Sequence, residues 1–281
     1  MATYLFPGQG SQFKGMGNGL FAEFPEITAK ADEILGYSIQ TLCLENPQNQ
    51  LHQTSYTQPA LYTVNALIYL KKMQENGGAP NFLAGHSLGE YNALFAAGIF
   101  DFETGLKLVK RRGELMQQAT GGAMAAILGL KLDVLREIIE QNGLNHIAIA
   151  NHNSYTQVVI SGLKEAIERT QNIFEKANAI FVPLQVSGAF HSPYMHFAQE
   201  QFEIFLQKFH FNSPKVPILS NYTARPYNYD EIVKNLAQQI THTVRWVETV
   251  EFLKKQEESE FEELGPGNTL SGLIQRIQNG Q

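Results

Sequence analysis

Residues Gly85-His86-Ser87-Leu88-Gly89 stand between the apolar stretch Asn81-Phe82-Leu83-Ala84 and the helix-forming run Glu90-Tyr91-Asn92-Ala93-Leu94-Phe95-Ala96-Ala97. A G-x-S-x-G pentapeptide in that setting asks for a short strand, a sharp turn and a helix, the context of a nucleophile elbow. The glycines remove side chains where the turn is tight. The Ser87 hydroxyl can then stand clear at a helix N-terminus, whose amides and dipole favour developing negative charge. The pentapeptide alone also allows a glycine-flanked N-cap in which Ser87 only satisfies backbone amides.

The first 120 residues carry the alternation that such an elbow requires. Tyr4-Leu5-Phe6 is apolar and runs into the turn Gly8-Gln9-Gly10-Ser11-Gln12. Residues 24–44 read as helical pieces, 59–74 place Leu61, Val64, Leu67, Ile68 and Leu70 at helical spacing, and 102–118 form an amphipathic helix. Strands alternating with helices predict a mostly parallel α/β sheet, here of α/β-hydrolase type. After Gly121-Gly122 the pattern changes. Strand, helix, strand, strand, helix, strand over 123–128, 132–141, 146–150, 157–160, 164–177 and 180–186 is the ferredoxin-like order. The expected organisation is an α/β-hydrolase-like catalytic domain of residues 1–121 and 188–281, with a ferredoxin-like subdomain inserted at 122–187. Helices are expected around 194–209 and 230–239, and a last strand near 260–264 ahead of Gly265-Pro266-Gly267.

Composition narrows the function classes. The chain has 281 residues, 43% of them hydrophobic, enough for a large core. Its net charge of −6 argues against nucleic acid or an anionic membrane as the main partner. Cys43 is the single cysteine, so neither a disulfide nor a cysteine-based zinc site can form within the chain. Residues 1–7 lack the charged and long apolar regions of an export signal, and no run reaches a membrane span. A soluble, cytoplasmic protein is expected, with no metal and no resident cofactor.

A serine nucleophile needs a base within hydrogen-bond reach. Of eight histidines, His86 adjoins Ser87, but neighbours at a strand–turn boundary point apart, so it reads as a packed elbow residue. His52, His146, His152, His196, His210 and His242 lack turn or glycine contexts and read as surface or half-buried. His191 lies in Val186-Ser187-Gly188-Ala189-Phe190-His191-Ser192-Pro193, after a predicted strand and before a helix. Open α/β sheets place ligands at such strand ends, and serine before histidine is the hydrolase-like order. His191 is therefore the candidate general base and acid, with a helix-cap histidine as the alternative. The Gly8–Gln12 turn fails as a nucleotide fingerprint, because Phe13 stands where a third glycine belongs and no P-loop lysine follows. It is either a plain turn or the source of an amide that forms a two-donor oxyanion hole with the N–H of Leu88. Arg112 cannot face the same way as Arg111 on one helix. Its planar guanidinium could grip a carboxylate through two parallel hydrogen bonds, or both arginines could simply solvate a helix face.

Phe6-Pro7-Gly8-Gln9-Gly10-Ser11-Gln12, Thr57-Gln58-Pro59-Ala60, Gly85-His86-Ser87-Leu88-Gly89-Glu90, Arg112-Gly113, Ala150-Asn151-His152-Asn153-Ser154, Gly188-Ala189-Phe190-His191 and Leu264-Gly265-Pro266-Gly267 occur here in one chain. Together they resemble the malonyl-CoA:acyl-carrier-protein transacylases over nearly the full length, above all the free-standing acyltransferases that serve polyketide synthases lacking their own. The resemblance implies a ping-pong route in which Ser87 takes malonyl from malonyl-CoA and passes it to the phosphopantetheine thiol of an acyl carrier protein. It implies His191 as base and acid, oriented by a backbone carbonyl near Arg245, which would leave no role for a triad aspartate. It also implies Gln9 and Leu88 as oxyanion donors, Gln58 as a polar pocket contact and Arg112 as partner of the malonyl carboxylate. Phe190 would crowd a branch at the α-carbon and so favour malonyl over methylmalonyl. The implied partners are malonyl-CoA and carrier-protein domains of a polyketide or fatty acid synthase, met by a monomer. An acyl hydrolase that clears stalled chains, and a non-catalytic docking module, are the alternatives.

Overall fold

Two sheets of opposite character divide the chain. The computed structural model describes residues 2–76 and 78–281. The elements begin with β1 (Thr3–Phe6), α1 (Leu20–Glu23), α2 (Pro25–Leu35), α3 (Ile39–Leu44) and α4 (Thr54–Asn76). Next come β2 (Leu83–Gly85), α5 (Gly89–Ala96), α6 (Phe102–Gln118), β3 (Gly122–Leu128), α7 (Leu132–Gln141), β4 (Ala148–Ser154) and β5 (Gln157–Leu163). Then follow α8 (Lys164–Lys176), β6 (Ile180–Pro183), α9 (His196–Leu206) and β7 (Ile218–Leu219). The chain closes with α10 (Ile232–Gln239), α11 (Trp246–Lys255), β8 (Phe261–Glu263) and α12 (Thr269–Gln278).

The first sheet is parallel throughout, in the order β7-β2-β1-β8. Every residue of β1 and β2 is buried, as strands covered by helices on both faces must be. Alternation along β1 divides the core. Tyr4 and Phe6 pack with Leu61 and Val64 of α4, Leu94 of α5 and Leu108 of α6, while Leu5 packs with Val250 of α11 and Leu273 of α12.

The second sheet is antiparallel, in the order β4-β5-β3-β6, the ferredoxin-like arrangement of a βαββαβ unit. Ala125, Ile127, Val158 and Ile160 face Leu135 of α7 and Ile167 and Phe174 of α8. The intervening Met124, Ala126 and Val159 join the large core on the other face. A seam of main-chain bonds adds to this contact: the N–H of His152 donates to the Val244 carbonyl at 3.0 Å, and the Val244 N–H to that of Ala150 at 2.8 Å.

Several boundaries differ from those the pattern predicts. Helix α4 starts at Thr54, five residues before Pro59, which lies inside it. Pro59 has no N–H to offer the Ser55 carbonyl, while the Thr57 hydroxyl, donating to the carbonyls of Leu51 (2.7 Å) and Gln53 (3.0 Å), secures the first turn. Strand β4 begins at Ala148 and continues through the polar residues Asn151-His152-Asn153-Ser154, because these sit at the seam. Strand β6 ends at Pro183, and Leu184 and Val186 beyond it line a cavity instead.

Candidate active site

Ser87 occupies the turn between β2 and α5 with a φ of 51°, a left-handed conformation that a non-glycine residue adopts only when its surroundings impose it. Two hydrogen bonds impose it here. Its N–H donates to Asn221 Oδ1 at 2.6 Å, and its carbonyl accepts from Gln239 Nε2 at 2.9 Å. The flanking glycines answer a packing demand: a Cβ at Gly89 would lie 2.0 Å from the Phe6 carbonyl oxygen, and one at Gly85 2.0 Å from the Gly89 backbone.

The structure brings Ser87 and His191 together. Ser87 Oγ lies 2.8 Å from His191 Nε2, and His191 Nδ1 lies 2.8 Å from the Gln239 carbonyl oxygen. A carbonyl can only accept, so Nδ1 carries the ring proton and Nε2 is left to accept from the serine. The orienting carbonyl thus belongs to Gln239, at the end of α10, and not to the segment at Arg245. The Arg245 carbonyl is taken by the Thr249 hydroxyl inside α11, and its N–H by Asn221. Burial, reinforced by the neighbouring Arg112 guanidinium, pushes the His191 imidazole down to about 3, so the ring is a neutral base at physiological pH.

The Gly8–Gln12 turn lies directly against the elbow. A Cβ at Gly8 would lie 2.3 Å from the His86 carbonyl oxygen and 3.5 Å from the Leu88 nitrogen. Among the described residues no acceptor engages the N–H of Gln9 or of Leu88, so both donors are available beside Ser87. The Leu88 side chain is fully buried, which leaves its peptide group as the part that can act.

Arg112 is buried to 1% exposure, whereas Arg111 points outward to Glu114. Arg112 Nη2 donates to Ser87 Oγ at 3.2 Å and to Gln239 Oε1 at 2.9 Å, and its guanidinium lies 5.5 Å from the centre of the Tyr91 ring. Its Nε is buried without a partner. Gln58 donates from Nε2 to the Met116 sulfur at 3.4 Å, and its Oε1 also lacks a partner. These groups surround a cavity of about 140 Å³ between the two sheets. Gln9, Gln58, Ser87, Arg112, Phe190 and His191 line one side of it, and Met124 and Val159 of the small sheet close the other.

Sequence reasoning missed four polar residues that build the site. Gln239 and Asn221 carry no local signal, because only the fold brings them to the elbow, and Asn153 stands in a motif that gave no hint of its contact with His86. Asn153 binds His86 at 2.8 Å, which explains why that histidine is a packed elbow residue. Glu90, directly after the elbow, was visible as part of a motif, but its complete burial was not. His152 departs from the surface or half-buried position expected of it. It is buried to 9% exposure at the seam, 3.3 Å from Glu248. Among the described residues no group of three or more His, Cys, Asp or Glu side chains could hold a metal.

The acyl transferase domain family matches residues 3–276. The chain belongs to that family. This acyl transferase is 58% identical, over 99% of its length and 97% of the relative's, to the polyketide biosynthesis malonyl CoA-acyl carrier protein transacylase BaeC of Bacillus velezensis. The crystal structure of a malonyl CoA-acyl carrier protein transacylase from Burkholderia pseudomallei superposes with a TM-score of 0.97 at 48% identity, covering 100% of this chain and 99% of the other. A chain from a complex of a type II PKS acyl-carrier protein with its malonyl-transacylase superposes at 0.94 and 38% identity, covering 99% and 93%. Both establish the two-part α/β fold. No helix among the described residues of this acyl transferase is long and apolar enough to cross a membrane.

Proposed function

We propose that the protein is a malonyl-CoA:acyl-carrier-protein S-malonyltransferase that supplies a polyketide synthase. Ser87 Oγ passes its proton to His191 Nε2 and attacks the thioester carbonyl of malonyl-CoA. The oxyanion forms between the N–H groups of Gln9 and Leu88. The C–S bond breaks as His191 returns the proton to the coenzyme A sulfur, leaving malonyl on Ser87. The carrier-protein thiol then gives its proton to His191 and attacks the seryl ester, and Ser87 recovers a proton as it leaves. The scheme uses no metal and no resident cofactor, and its setting is a monomer in the cytoplasm.

The observation that carries this reading over an acyl hydrolase is the position of Arg112. A buried guanidinium 3.2 Å from the nucleophile, with Nε unpartnered, suits a substrate that brings its own carboxylate. A simple acyl chain would leave that charge without a counterion. Phe190, on the cavity wall beside His191, leaves little room for a methyl branch, and one methyl is worth about 1–3 kcal/mol of selectivity.

Intact-protein mass after mixing with malonyl-CoA tests the proposal. A malonyl adduct that persists until carrier protein is added is expected, and Ser87→Ala should form none. Rapid loss of the adduct to water would favour the hydrolase, and absence of any adduct the docking module.

A further inference from the structure

Glu90 enters α5 one residue past the second glycine of the elbow and has no exposed surface. A carboxyl group buried this deeply is tolerated only when its oxygens are satisfied. Oε2 accepts from Gln239 Nε2 at 2.6 Å and from the Asn221 peptide N–H at 3.2 Å, and Oε1 accepts from the Tyr227 hydroxyl. Gln239 relays this group to the chemistry. Its amide nitrogen faces Glu90 and the Ser87 carbonyl, its amide oxygen faces Arg112, and its peptide oxygen holds His191.

An amide has one donating end and one accepting end. Facing an ionised carboxylate, the Gln239 side chain must present its NH2, which leaves its oxygen for the guanidinium. Turned over, it would set NH2 against Arg112 and oxygen against the Ser87 carbonyl, both repulsive. We propose that Glu90 is a positioning residue for acyl transfer, its carboxylate locking the Gln239 amide so that one residue orients the base, the elbow and the arginine clamp. The inference rests on the seryl-ester reading of the site.

The lock depends on charge. Burial raises Glu90 to about 7, against the pull of Tyr227, Gln239, the Asn221 N–H and Arg112. The titratable groups that face it are Tyr91 from its own helix, Arg112 from α6 and Tyr227 from the segment after β7. Burial lifts both phenols above their ordinary value, and Arg112 stays cationic. His191 is held far below neutrality. Among these groups Glu90 is the one that changes charge near pH 7, and on gaining a proton below it the carboxyl gives up its charge-assisted hold on the amide, which the Ser87 carbonyl and Arg112 alone then keep in place.

The test is the rate of Ser87 acylation by malonyl-CoA, followed by rapid quench and intact mass from pH 5 to 9, in the parent, Glu90→Gln and Tyr227→Phe. The parent should lose rate below about pH 7. In Glu90→Gln a donor replaces one acceptor among three donors. The rate at pH 8 should fall about ten- to a hundredfold, the factor carried by a lost charge-assisted hydrogen bond, and the acid limb should vanish. Tyr227→Phe removes a bond to the ionised form and should move the limb upward by about one pH unit. If Glu90→Gln does not fold, as circular dichroism would report, Tyr227→Phe decides alone. An unmoved limb in Tyr227→Phe, or Glu90→Gln acylating like the parent at pH 8, overturns the role of Glu90 while leaving the seryl ester intact. No adduct on the parent at any pH removes both.

Discussion

His191 donates its Nδ1 proton to the peptide carbonyl of Gln239 across 2.8 Å, so the base that faces Ser87 is oriented by a neutral dipole in place of a carboxylate. The ring gains direction from this contact without a full negative charge to stabilise an imidazolium. Burial and the cationic Arg112 therefore dominate, and the imidazole stays neutral down to about 3.

Two outcomes follow for this histidine. His191→Ala should slow acylation by about two to four decades, the scale of a positioned acid–base group. The nitrogen chemical shifts of the His191 ring should show no protonation down to about pH 4, whereas a value near the ordinary 6.5 would contradict its burial beside Arg112. The stability consequence has a definite sign. The folded value lies below the unfolded one, so this contribution is complete above pH 6.5 and is lost as pH falls toward 3.

Arg112 should decide which acyl donors are used. Arg112→Ala would leave the malonyl carboxylate buried without a partner, so kcat/KM for malonyl-CoA should fall on the order of a hundredfold or more, the roughly 2–5 kcal/mol of a broken buried pair. Acetyl-CoA, which brings no carboxylate, should be used as well as before or better. Equal losses with both donors would remove the clamp from the site.

The contact between Gly8 and the elbow gives a further prediction. In Gly8→Ala the added carbon meets the His86 carbonyl oxygen, a backbone atom that cannot swing away, and the turn must move off the elbow. Displacing the Gln9 amide should lower kcat by about 10²–10³-fold, the cost of one oxyanion donor, with a smaller change in KM. Unchanged steady-state kinetics in a folded Gly8→Ala protein would dismiss Gln9 as a donor.

Sequence by itself determined the local parts. Gly85, Ser87 and Gly89 could be read as an elbow because a tight strand–turn–helix junction admits few residue types. Residues 102–118 and 132–141 could be placed because amphipathic helices announce their period. The order of elements beyond Gly122 announced the ferredoxin-like unit, whose strands indeed pair as β4-β5-β3-β6. Helices α11 and α12 escaped pattern reading, and so did the two-residue strand β7. Tertiary structure decided which polar groups meet. Gln239 lies 152 positions from Ser87 and Asn221 134, and both are buried against the elbow. Glutamine and asparagine have no periodicity or spacing that marks such a meeting, since a buried hydrogen bond is specified by geometry in space. Sequence could name Ser87, His191 and Arg112; only the fold, by bringing the last residue of α10 against the elbow and Arg112, could place Gln239 between them and Glu90 behind it.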